Sequence, residues 1–127
     1  MTRRSIDADG YAHAAAIPTA SRVGPLLASS IIAGFDVDAR TMPEDAEGQA
    51  RNVFRHAGAI LEAGGASWDD VVKMTFFVAS SDLRTVVEPL WVERFPDAAS
   101  RPARHIQTTM LPGRVQVQAE LLAYVSS

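Results

Sequence analysis

Between residues 44 and 63 the apolar positions fall at helical spacing. Ala46, Ala50, Val53, Phe54, Ala57, Ile60 and Leu61 line one face, while Arg51 and Arg55 lie nearly opposite. Thr41 and Glu44 stand at capping-box spacing, Pro43 suits a first turn, and Gly64-Gly65 supplies a stop. Over 71–79 the period changes to two. Val72, Met74, Phe76 and Val78 make one apolar face and Lys73 and Thr75 the other, which predicts a strand. A second, shorter helix is predicted over 86–95, starting no earlier than Val86 because Pro89 belongs in a first turn.

Ahead of the long helix, residues 11–17, 22–29 and 31–35 read as three short extended segments. Pro18 and Gly24-Pro25 break them, and a polar loop over 36–43 follows. Beyond the second helix, 97–102 reads as loop, and 103–108 and 114–125 as strands joined by the turn Leu111-Pro112-Gly113. The order is three strands, helix, strand, helix, two strands. That predicts a single α+β domain over 1–127, a sheet with two helices packed on one face, and not a doubly wound fold.

A chain of 127 residues has room for one core, and 47% hydrophobic with 21% charged residues is ordinary globular composition. The net charge of −3 removes the basic footprint that nucleic-acid binders carry. Without cysteine there is no disulfide, thiolate chemistry or Cys-ligated metal. Polar residues follow Met-Thr-Arg-Arg where a signal peptide needs an apolar run, and no apolar stretch is long enough to span a membrane, so a cytoplasmic location is expected. No dinucleotide, phosphate-loop or zinc-protease motif occurs, and no serine sits in a nucleophile elbow. His13, His56 and His105 lack ligand spacing, so no metal is expected; His56, at the border of the helix stripe, reads as a surface or interface residue. Trp68 and Trp91 read as core or interface aromatics.

Five pieces in order carry a resemblance. Val23-Gly24-Pro25 followed by Ile31-Ile32-Ala33-Gly34 is similar to an opening that reads GPY then SGQ. Glu47-Gly48-Gln49-Ala50 and Ile60-Leu61-Glu62-Ala63-Gly64-Gly65 resemble a helix ending in LeaaG. Residues 70–78 are similar to a DVVK strand, Arg101-Pro102-Ala103-Arg104 to a PAR segment, and Leu111-Pro112 with 117–123 to a closing EIEaiA strand. On these the chain is identified as a divergent member of the Rid family, the reactive intermediate deaminases. The resemblance implies a chorismate-mutase-like α+β fold, assembled as a homotrimer with clefts between subunits. It also implies cofactor-independent addition of water to enamines or imines made from amino acids, giving a 2-oxo acid and ammonia.

By the same resemblance Arg104 holds the substrate carboxylate, a role its planar fork suits, against the bland reading of a salt bridge. The family's water-positioning Glu is replaced by Gln118, a carboxamide that can hydrogen-bond water but not take its proton. Glu120, two residues on along the same strand face, is either a displaced catalytic carboxylate or a paired structural one. Other departures line the expected pocket: Leu26 for an aromatic, Ala33 beside Gly34 for a serine, Glu88 for an asparagine, and His105 and Ile106 for a serine and a cysteine. Three functions stay open. They are a deaminase of altered substrate range, a non-catalytic binder of small carboxylates, and an enzyme repurposed for a larger, more apolar biosynthetic intermediate.

Overall fold

The computed structural model describes residues 2–8, 11, 13 and 15–126. The chain runs β1 (Arg3–Ile6), β2 (Ala20–Val23), β3 (Leu26–Ser29), β4 (Ile32–Ala33), α1 (Ala46–Ala63), β5 (Val71–Val78), α2 (Arg84–Arg94), β6 (Ala103–Thr108) and β7 (Val117–Tyr124). All seven strands join one mixed sheet in the order β1-β2-β3-β7-β5-β6, with β4 taking up the edge of β7 beyond the end of β3. Only β5 and β6 are parallel partners. A parallel pair needs a crossover, which α2 supplies. Because β4 and β5 both run antiparallel to β7, they are parallel across it, and α1 is their crossover. The two helices touch each other and share one face of the sheet, as the hydrophobic pattern predicts. Val53, Ile60, Met74, Phe76 and Val117 are fully buried between the layers.

Local chemistry explains the boundaries, including those the pattern misplaces. The long helix starts at Ala46, not at 44, because the Asp45 carboxylate accepts from the Gly48 N–H at 2.9 Å. Thr41 is instead spent on a backbone bridge to Asp36, and Pro43 precedes the helix. The stop at Gly64-Gly65 holds. Ala66 N–H reaches the Leu61 carbonyl, Gly65 N–H reaches that of Glu62, and Gly65 takes a φ of 76°.

The strand expected over 11–17 is not one: Tyr11 makes a single bridge with Ala8, and Ala12 and Ala14 lie outside the described residues. The sheet's edge is built by Arg3–Ile6 instead, held to β2 through backbone pairing with most side chains exposed. The segment 22–29 is a hairpin, with Gly24 at φ 56° in the two-residue turn before Leu26. The 31–35 segment shortens to Ile32–Ala33, and 114–125 to Val117–Tyr124.

In β5 a bulge sets Val71 and Val72 against one partner position, so Val71 enters the core and Val72 turns outward, 53% exposed. The second helix begins at Arg84, growing out of a 3₁₀ turn over Ser81–Leu83, so Pro89 lies inside it rather than in its first turn. The proline there withholds one N–H from the helix ladder without setting the start.

Candidate functional site

Arg104 lies on β6, the outer strand beside β5. Two hydrogen bonds to backbone carbonyls fix that strand: Arg101 Nε donates to Phe95 O at 2.8 Å, and Arg84 Nη1 of α2 donates to Ile106 O at 3.2 Å. In register Arg104 pairs with Met74, which pairs in turn with Leu121, and both of these are core residues. Alternation therefore turns Arg104 and Ile106 toward the helix layer. Ile106 is buried there.

The Arg104 guanidinium rests 5.1 Å above the Trp91 ring of α2, and its Nη1 stands 2.7 Å from Glu88 Oε2. Glu88 and Trp91 are three residues apart on α2 and so share a helix face. At 2.7 Å this contact lies in the range of a charge-assisted hydrogen bond, and the buried Nη1 meets no other acceptor among the described residues. We read the pair as an ion pair with unspent donors. At 22% side-chain exposure the arginine is shielded yet reachable, and Glu88, at 55%, is open to solvent.

Gln118 and Glu120 occupy the other face. Gln118 pairs with Phe77 and with Ala33, and Glu120 with Thr75, which also faces His105. Along β7 this face is partly or fully exposed, whereas Val117, Ala119 and Leu121 are buried. The structure thus brings Ala33 to Gln118, and Glu88 and Ile106 to Arg104, but the sheet lies between the two groups within one chain. Leu26 joins neither: it pairs with Tyr124, six residues along β7 from Gln118, roughly 20 Å at 3.4 Å per residue.

Polar residues that periodicity did not single out hold the Ala33–Gly34 end in place. Gly34 sits so close to α1 that a Cβ there would lie 2.2 Å from the Gln49 carbonyl oxygen. Asn52 Nδ2 donates to Gly34 O at 3.2 Å, and His56 Nε2 lies 2.6 Å from Phe35 O. His56 is therefore a buried residue, 5% exposed, and not the surface histidine expected, because only there can it reach a backbone carbonyl. Tyr11 stacks on it at 4.5 Å, and its hydroxyl accepts from Ala33 N–H at 2.8 Å and donates to Ile31 O at 3.3 Å. Burial pushes the Tyr11 phenol up, against a smaller lowering by the Ala33 N–H. Gln49 does the same for β7: it donates to the carbonyls of Pro43 and Arg114 and accepts from Gln116 N–H. A polar residue at the border of an apolar helix stripe is the signal that could have flagged Gln49, Asn52 and His56.

Among the described residues no group of three or more His, Cys, Asp or Glu converges as a metal site, and no helix is long and apolar enough to cross a membrane.

The family described as Endoribonuclease L-PSP matches residues 10–125. A RutC family protein of Synechocystis sp. is 33% identical over 92 residues, 68% of this chain and 70% of that protein. Reactive Intermediate Deaminase A, chloroplastic, of Arabidopsis thaliana is 37% identical over 82 residues, which cover 63% of this chain but only 42% of that longer relative. The solved structure of Escherichia coli TdcF with bound serine superposes with a TM-score of 0.89 at 21% identity, covering 97% of this chain and 99% of that one, which is a likeness of fold. The chain belongs to the reactive intermediate deaminase (Rid) family, to which the L-PSP description and these relatives point alike.

Proposed function

We propose that the protein is a cytoplasmic, cofactor-independent hydrolytic deaminase of reactive enamine and imine intermediates, with the substrate carboxylate held by Arg104. The observation that carries this reading is the state of that guanidinium: charged, shielded, seated on Trp91, and with donors left over for a second anion. Its fork can take a carboxylate through two parallel hydrogen bonds. Ile106 then gives the bound molecule an apolar wall. Water adds at C2 of the imino acid, the C=N electron pair moves to nitrogen, and the resulting carbinolamine expels ammonia and leaves a 2-oxo acid. A net charge of −3 argues against nucleic acid as the substrate.

In this reading the protein works as a homotrimer. Gln118, Glu120 and Ala33 face away from Arg104 in their own chain, so a cleft uniting the two groups needs the open sheet face of one copy against the β6 edge of the next. Gln118 orients the water. Leu26, exposed at its hairpin, lines the cleft only if a neighbouring copy brings it there.

One observation favours a second reading. The carboxamide of Gln118 cannot accept a proton, which fits a non-catalytic carboxylate binder. The apolar Leu26, Ala33 and Ile106 would also suit a larger substrate of a biosynthetic enzyme. Ammonia release from freshly generated 2-aminoacrylate, with and without the protein, tests the proposal, alongside light scattering for three times the 13.7 kDa chain mass. Clear acceleration by a trimer is the expected result. Carboxylate binding without turnover would move the assignment to the binder, and a monomer would remove the shared cleft.

A further inference from the structure

We propose that Glu88 is the catalytic base of the imine hydrolysis, taking the proton of the attacking water; the inference rests on the Arg104 reading above. Among the described residues Glu88 is the carboxylate in contact with Arg104, at 2.7 Å. Gln118, which stands where the family's carboxylate is expected, cannot accept a proton. Glu120 lies on the opposite face of the sheet in the same chain, and a neighbouring copy's Glu120 would stand two residues, roughly 7 Å, along β7 from the Gln118 position. Apart from Arg104, the Glu88 side chain has no polar partner among the described residues, and it is 55% exposed.

The reach follows from the substrate's own geometry. In a 2-imino acid the electrophilic carbon is bonded directly to the carboxylate carbon, about 1.5 Å away. A carboxylate hydrogen-bonded to a guanidinium at about 2.8 Å therefore holds that carbon roughly 4–5 Å from the nearest guanidinium nitrogen. A group touching the same guanidinium stands one water molecule away from C2, the separation at which a general base acts through hydrogen bonds of about 2.6–3.2 Å. Glu88 touches one nitrogen, and a guanidinium has five N–H donors, so the carboxylates of Glu88 and substrate can be held together.

The step balances without a co-reactant. As the water oxygen bonds to C2, one water proton passes to Glu88 and the C=N electron pair moves to nitrogen. Glu88 returns that proton to the nitrogen, giving the carbinolamine; the hydroxyl proton then passes through Glu88 to the amino group as the C=O bond forms, the C–N bond breaks and ammonia leaves.

The test uses Glu88→Gln, which keeps the shape of the side chain, in the full-length protein with 2-aminoacrylate as substrate. Proton transfer by a placed base contributes about 10²–10⁴-fold, so kcat should fall within that range, and KM should fall too because the neutral amide no longer repels the bound carboxylate. The acid limb of the pH–rate profile should disappear, a change that a merely structural role would not produce. Calorimetric unfolding confirms that the variant folds. A full kcat with the acid limb intact would overturn the assignment, as would a rise in KM alone, which would make Glu88 a positioning residue for Arg104. If Arg104→Lys is inactive while Glu88→Gln is not, this inference falls and the Arg104 reading stands. If the unmodified protein does not accelerate imine hydrolysis, both fall.

Discussion

Replacing Arg104 by lysine separates charge from geometry. The stability side is small. The ion pair to Glu88 joins side chains 22% and 55% exposed, and screening limits such pairs to about 1 kcal/mol or less. Seating over Trp91 at 5.1 Å adds about 0.5–1 kcal/mol, part of which a lysine ammonium keeps. A net loss near 1 kcal/mol lowers the melting temperature of a domain this size by roughly 4 °C. The functional side is larger. A hydrogen bond to a charged group is worth about 1.5–3 kcal/mol, and lysine, a point charge without the fork, forfeits one of the two made to a carboxylate. At about 1.4 kcal/mol per tenfold, KM for 2-aminoacrylate, or Kd for a carboxylate ligand, should rise about 10- to 150-fold. Ammonia-release kinetics and scanning calorimetry on the same preparation read both. Unchanged kinetics in a folded Arg104→Lys protein would refute the carboxylate role outright.

Gln118→Glu should raise imine turnover by restoring a proton acceptor beside Ala33, while Glu120→Gln should change it little; the reverse pattern in an ammonia-release assay would make Glu120 the working carboxylate. Tyr11→Phe strips the hydroxyl that serves Ala33 N–H and Ile31 O, at a cost of about 1–3 kcal/mol in urea unfolding. Because burial raises the Tyr11 pKa above the ordinary 10.0, its contribution is fully present below pH 10 and is lost as pH climbs through the raised value. The Phe variant should therefore lose less stability between pH 9 and 11, and parallel pH curves would contradict this. Gly34→Ala forces a Cβ to 2.2 Å from the Gln49 carbonyl oxygen and should destabilise by about 1–3 kcal/mol, with α1 displaced from β4; a melting point equal to that of the parent would show that the gap opens freely.

What could be read in advance was set by burial. The α1 stripe and its glycine stop were legible because core packing and a positive φ leave residue-level marks. Arg3–Ile6 was not, since an edge strand held by backbone pairing to β2 asks little of its side chains and reads as a polar segment. Strict alternation places Val72 in the core, and the β5 bulge, which has no residue signature here, exchanges it for Val71. His56, Asn52 and Gln49 were hidden for a related reason: a polar residue on a helix border looks like surface until a carbonyl is found opposite it. Arg104 was singled out by family resemblance alone, and so was Glu88. That the two meet could not have been foreseen, because it depends on how α2 lies against the strand it crosses to reach.

The meeting of these two residues changes what the departures from the family pattern imply. Taken along the chain, Gln118 for a glutamate is a loss, and Glu88 for an asparagine is an unrelated change. In space they are complementary, since one removes a carboxylate from the open face and the other adds one beside the guanidinium on the helix face. Charge is conserved around the proposed cleft while the carboxylate moves from β7 to α2. An unpaired buried guanidinium would be costly, so Glu88 partly neutralises Arg104 when no ligand is bound. A bound carboxylate must then share the cation with Glu88, and like charges brought close repel. That repulsion weakens ground-state binding, and it eases once Glu88 takes a proton from water. An interaction that improves on the way to the transition state raises kcat at the expense of affinity, which is where binding energy accelerates a reaction.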